Sequence, residues 1–297
     1  MNARQYVVLV LAICATDGFG ATKLARANLD SAPAQASHHD TNRGCPSDMV
    51  RTASVCIDRW ELSTVDKRTG RALSPYYPPS PLLLRRVLDI WQIERLSYGD
   101  RVARSLPLPQ LPDWEISGDF EPMAVSRADV VPQGYLSRDL ARRVCENAGK
   151  RLCRLDEWKA ACRGIKQREF PYGSTYVPGA CNVGRTVHSA FVLHGNSSMG
   201  HLDPRLNLVV ERGVDPLLRT TGATSTCASP WRDDAILDMV GNLDEWVDDD
   251  DGGFVGGFYA RATTKGCDSR VKAHPPSYYD YSTGARCCRP VESDRSD

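Results

Sequence analysis

The stretch richest in usable chemistry is Asp238-Met239-Val240-Gly241-Asn242-Leu243-Asp244-Glu245-Trp246. A short loop of this kind can wrap a hard cation with oxygen ligands, and calcium is the natural candidate. Asp238 and Glu245 supply charge. Gly241 lets the backbone turn sharply, so that its carbonyl or a nearby one points inward. Trp246 anchors the loop in the core, with its ring N–H in need of an acceptor. The competing reading is an acidic turn before a buried strand, since the spacing is not that of an EF-hand.

Other chemistry-bearing residues are more scattered. Asp248 to Asp251 extend the acidic run, and four adjacent carboxylates repel one another unless cations sit close. His188, His194 and His201 fall in a loop-rich stretch, with spacing that matches no common zinc pattern. His38 and His39 read as a solvated pair. Tyr278, Tyr279 and Tyr281 line a recognition surface or form half-buried core with wet hydroxyls.

The chain has 297 residues, 41% of them hydrophobic, and Lys+Arg balance Asp+Glu at 37 each. That balance gives no reason to expect a nucleic-acid partner or an anionic membrane surface. Arg4 precedes the apolar run from Tyr6 to Cys14, too short to span a bilayer but long enough for a signal-peptide core. Residues 1–21 therefore read as a signal peptide, and Cys14 in a lipobox-like context is the alternative anchor. Loss of Cys14 with the signal leaves ten of the 11 cysteines. An even number in an exported chain implies disulfides. The expected location is periplasmic or secreted and bacterial, with no transmembrane segment after cleavage.

Residues 22–44 are small and polar and read as a flexible linker. Cys45 and Cys56 bracket a segment suited to a hairpin closed by a local disulfide. Ile57, Trp60 and Leu62 suit strand, and Asp58, Arg59 and Glu61 are placed for an ion-pair network. Residues 76–134 read as an insertion packed on the domain, with one amphipathic helix over Leu82–Leu96 and an extended Leu106–Pro112. Ser137 caps a helix from Arg138 that stops at Gly149. A second short helix runs from Leu155 to Cys162, without the side-chain cap that a Thr at Arg154 would give. Residues 291–297 read as a polar tail.

Several of these segments resemble, in order, the motifs of the formylglycine-generating enzyme family, also called the sulfatase-modifying factor domain. The opening stretch is similar to its D-x-x-G-N-x-x-E-W signature. Cys56-Ile57-Asp58-Arg59-Trp60-Glu61-Leu62 resembles its early strand. Gly149-Lys150-Arg151-Leu152 with Asp156-Glu157-Trp158, and Phe170-Pro171-Tyr172-Gly173 followed by Cys181-Asn182, resemble its central segment. Gly256-Gly257 and Thr283-Gly284-Ala285-Arg286-Cys287 resemble its closing motifs. The resemblance covers residues 45–290. It implies an α+β fold, a C-type-lectin-like variant with few regular elements.

Catalytic members oxidise a substrate cysteine to formylglycine with copper(I), held by two cysteines shortly after the Gly-Gly strand. Thiolate pairs suit that soft ion. Here Phe258 to Gly266 contains no cysteine, so copper is not expected. The resemblance also implies bridges Cys145–Cys287 and Cys162–Cys267. The remaining six cysteines are read as Cys45–Cys56, Cys181–Cys227 and Cys153–Cys288, although sequence alone does not fix connectivity. It further implies one calcium site at Asp238, the carbonyls of Gly241 and Leu243, and Glu245. A second would use Asn182 and the Val183 carbonyl.

The expectation is an exported, disulfide-stapled binding module without catalytic residues, directed at a protein or glycan ligand at the cell envelope. Two enzymatic alternatives stand beside it. One is a non-haem-iron oxygenase-type domain, although no triad of two histidines and a carboxylate is evident. The other is a formylglycine-type oxidoreductase using Cys267 with Cys287 or Cys288.

Overall fold

The computed structural model describes Asn42 and residues 44–292. The signal segment, nearly all of the linker and residues 293–297 lie outside the described residues. The chain opens with a hairpin of β1 (Met49–Arg51) and β2 (Val55–Asp58), followed by β3 (Leu62–Asp66). Three helices follow, α1 (Pro81–Glu94), α2 (Arg101–Ser105) and α3 (Asp113–Ser117), then β4 (Pro122–Ser126). Next come α4 (Arg138–Asn147), β5 (Arg151–Leu152), α5 (Leu155–Arg163) and α6 (Ser189–His194). Two small hairpins pair β6 (Val210–Glu211) with β7 (Asp215–Pro216), and β8 (Ala228–Trp231) with β9 (Asp234–Leu237). The chain closes with β10 (Asp244–Trp246), β11 (Phe254–Val255), β12 (Arg270–Val271), β13 (Thr283–Ala285) and β14 (Cys287–Pro290). This is a mixed α+β architecture with short, sparse elements.

Two four-stranded sheets organise it, in the orders β1-β2-β14-β5 and β12-β11-β10-β13. In the second, β10 runs parallel to β13 and antiparallel to β11. The last strand therefore sits between the first hairpin and β5, tying both ends of the domain into one sheet. β4 pairs with β3 along its whole length, so the stretch read as an insertion contributes a strand to the domain.

The helices form where local signals place them. The Ser137 hydroxyl accepts from Leu140 N at 3.2 Å, and Leu140, Ala141, Val144 and Cys145 are buried on one face of α4. Arg154 does not cap α5 with its side chain. Glu157 reaches back to Arg154 N at 2.9 Å, the reciprocal half of a capping box.

Five disulfides join Cys45–Cys56, Cys145–Cys287, Cys153–Cys288, Cys162–Cys267 and Cys181–Cys227. All ten cysteines among the described residues are bonded, in the pairing read from sequence. Cys287 and Cys288 are neighbours on β14, so their side chains leave opposite faces. One reaches α4 and the other the approach to α5, which staples both packed layers to one strand. Such a set of bridges belongs to a chain that folds in an oxidising compartment. Among the described residues no helix is long and apolar enough to cross a membrane.

Candidate functional site

The signature loop folds into a knot of left-handed turns. Asp238 (φ 57°), Gly241 (φ 86°) and Asn242 (φ 60°) all lie in the positive-φ region. A Cβ on Gly241 would stand 2.4 Å from the Asn182 carbonyl oxygen, so only glycine fits this approach. The approach lets Asn242 N donate to that oxygen at 2.9 Å. The Asn182 amide donates in turn to Asn242 Oδ1 at 3.0 Å and to the Leu217 carbonyl at 2.9 Å. Asn242 Nδ2 donates to Glu61 Oε2 at 2.6 Å, and Leu243 N donates to Glu61 Oε1 at 3.1 Å. Glu61 thus reaches across the domain from the end of the early strand to hold the loop.

Behind the loop, the buried Arg286 guanidinium donates from Nε to both oxygens of Glu245, each at 3.0 Å, and from Nη2 to Oε1 at 2.8 Å. Trp158 Nε1 donates to Glu245 Oε2 at 2.6 Å. The remaining Arg286 donors meet the carbonyls of Asp58, Arg59 and Leu237 at 2.9–3.2 Å. Trp246 is fully buried and its ring N–H donates to the Leu136 carbonyl at 2.7 Å.

Three buried carboxylates, Glu61, Asp238 and Glu245, feel the charge of one buried guanidinium, which hydrogen-bonds Glu245 alone among them. Burial, together with the neighbouring Asp238 and Glu245, holds the Glu61 carboxyl well above its ordinary range. Burial raises Asp238 to about 6, against the opposing pull of Gly222 N, which donates to it at 2.7 Å, and of Arg286.

These contacts test the calcium reading. Asp238, Gly241, Leu243 and Glu245 do come together, and Asn182 and Val183 lie against them. Both Glu245 oxygens, however, face Arg286, and one Asp238 oxygen is taken by Gly222 N. At the second place, Arg185 Nη1 donates to Asn182 Oδ1 at 3.3 Å. Among the described residues no three His, Cys, Asp or Glu side chains are grouped to hold a metal. Two members of this donor set, Glu245 and Asn182, are thus engaged by guanidinium groups.

A second constellation lies just past Gly256 and Gly257, both with φ above 80°. Here the chain turns Phe258 and Tyr259 into the core. The Tyr259 hydroxyl bonds Ser189 Oγ at 2.8 Å and donates to Asn207 Oδ1 at 3.2 Å. Phe258 and Tyr281 meet edge to face at 5.7 Å, and His188 stands edge-on to both. His188 Nε2 lies 3.3 Å from the Tyr281 hydroxyl, and the His201 ring flanks Tyr281 on another side at 5.9 Å. Tyr278 donates to Asp280 Oδ2 at 2.5 Å. Arg261 stacks over Phe258 and pairs with the buried Asp244, whose carboxyl burial pushes up to about 7. The half-exposed His188, His201 and Arg261 thus pack around the buried Phe258 and Tyr281, and Tyr278 stacks nearby on Phe254 and His274. Together they offer ring faces, a guanidinium and imidazoles for non-covalent recognition.

The remaining singled-out residues have structural settings. His194 is buried beside Asp203, which also pairs with Arg205 at 2.6 Å. The Arg205 guanidinium donates to the carbonyls of Ala103 and Leu106, tying the inserted helices to the domain. In the acidic run, Asp248 pairs with Arg142, Asp249 with Arg270 and Asp251 with Lys272. Arg185 pairs with Glu211 and Asp215 along an open cleft of about 490 Å³.

No protein-family model matches the sequence, and no curated protein matches it. Among solved structures, 24 chains match. One is the crystal structure of CarF, 14% identical over 80% of this chain and 87% of that one, with a TM-score of 0.37.

Cys267, Cys287 and Cys288 cannot form a reactive pair as they stand, because each is bridged to a different helix region. Sequence reading also missed the centre of the acidic knot. Arg286 was visible only as part of a closing motif, and Glu61 as one of three adjacent charges. A lone arginine before paired half-cystines was the one available signal.

Proposed function

We propose that this chain is a non-catalytic binding module on a formylglycine-generating-enzyme-like scaffold, with His188, His201, Tyr278 and Arg261 as its recognition rim. The observation that carries this reading is the complete pairing of the ten described cysteines. It leaves no thiolate for copper chemistry beside Gly256 and Gly257, where Phe258, Tyr259 and Arg261 stand instead. Five bridges and the Arg286-centred knot supply rigidity, which lowers the ordering cost of binding. The rim's aromatic faces and planar cation suit a glycan or a polar protein loop at the cell envelope.

The test uses glycan arrays and immobilised envelope proteins, with wild type compared against the His188→Ala/His201→Ala double variant. Binding lost in the double variant, at unchanged thermal stability, supports the rim. Incubation with copper and a sulfatase-motif peptide should give no aldehyde, and an aldehyde product would overturn the reading.

A further inference from the structure

Helix α1 is apolar on two opposite faces. Leu84, Val87 and Trp91 are buried against Tyr77 and Phe120. On the outer side, Leu82 and Ile93 are each 71% exposed, and Ile90 is 41% exposed. Five of the 11 exposed large hydrophobics fall between Leu82 and Val102. Apolar exposure is thus densest on the inserted helices, while the other six are spread between Ile165 and Val214. Arg85, Arg86 and Asp89 are exposed on this outer side, with Arg86 near enough to the half-buried Tyr279 to act on its hydroxyl.

We propose that this face binds a second copy of the chain, through an antiparallel α1–α1 contact about a two-fold axis. The spacing of the outer residues is self-complementary. Pairing Leu82 with Ile93 of the other copy sets Arg86 opposite Asp89, and Arg85 opposite Ile90. By symmetry each pair occurs twice, as an isologous interface requires. The stripe repeats at helical intervals, so the helix of 14 residues, about 21 Å long, can present all of it at once. A lipid surface suits this face less well, because Asp89 would then be buried in the stripe without a partner. Across the two-fold axis, Arg86 neutralises it.

The inference is independent of the recognition rim. A single helix pair buries a modest area, so association is expected in roughly the micromolar to submillimolar range. Sedimentation equilibrium of the full chain across that range tests it, with near-ultraviolet circular dichroism confirming each variant's fold. Asp89→Arg and Arg86→Asp should each raise the dimer dissociation constant roughly tenfold or more. Combining them should restore dimerisation, because the opposed charges are merely exchanged. A monomer throughout the range, or single reversals without effect, would overturn the proposal. So would a monomer that floats with vesicles containing anionic lipid and loses that binding in Ile93→Asp.

Discussion

Glu245 and Arg286 face each other in full burial, 41 residues apart in sequence, with both carboxylate oxygens taken by the guanidinium and one also by Trp158. Removing one partner of such a pair leaves an uncompensated charge where water cannot reach it. Arg286→Gln is expected to cost about 3–5 kcal/mol in urea unfolding of the oxidised protein. Arg286→Lys should rescue little, because an ammonium group cannot reproduce six donor contacts in a plane. A loss below about 1 kcal/mol would show that the knot does not hold the loop.

Asp238 gives the pH dependence. Its folded pKa is raised to about 6 from 3.8, so the native state holds the proton more tightly than the unfolded chain. Its contribution to stability is fully present below about pH 4 and is lost as pH rises through 6. Asp238→Asn keeps an oxygen for Gly222 N, and asparagine tolerates the left-handed φ of 57°. The variant should match wild type near pH 4 and exceed it at pH 8 by up to about 3 kcal/mol. Equal stability of the two proteins at both pH values would contradict the assigned burial.

The long bridges should carry a large share of the stability. Cys162–Cys267 closes a loop with a sequence separation of 105 residues. Replacing both by serine is expected to cost about 2–5 kcal/mol, read as a lower urea midpoint. Non-reducing peptide mapping should return the five pairs and no free thiol among the ten described cysteines.

Much of this was legible in the sequence because local rules set it. Ser137 and Gly149 mark the ends of α4, and the bracketing cysteines mark the first hairpin. The resemblance implied Cys145–Cys287 and Cys162–Cys267, whereas no rule in the sequence fixed the pairing of the other six cysteines. The cations of the acidic run, Arg142 on α4 and Arg270 and Lys272 at β12, come from two segments distant in sequence, which no local pattern reveals. The same limit hid the Glu61–Asn242 contact, which spans 181 residues. Periodicity placed α1 within two residues at either end, yet the folding of its region back onto β3 through β4 depended on long-range pairing. Charge on Asp238 and Glu245 suggests a metal in the sequence, which does not show that Arg286 lies beside Glu245.

That last ambiguity is open to direct measurement. Calcium would have to displace Arg286 from Glu245 and Arg185 from Asn182, which exchanges buried, multiply bonded guanidinium contacts for new ligands. Thermal unfolding in excess EDTA should therefore match unfolding in millimolar calcium to within about 1 °C. A ligand that binds only the folded state at 100 times its dissociation constant would add about 2.7 kcal/mol, far outside that margin. Arg286→Gln supplies the sharper comparison, since it frees Glu245 and removes the positive charge near Glu61 and Asp238. If any calcium-dependent stabilisation is to appear, it should appear in that variant first and scale with calcium concentration. A calcium shift of several degrees in the wild type would instead mean that the guanidinium groups give way, and that the loop is a metal site after all.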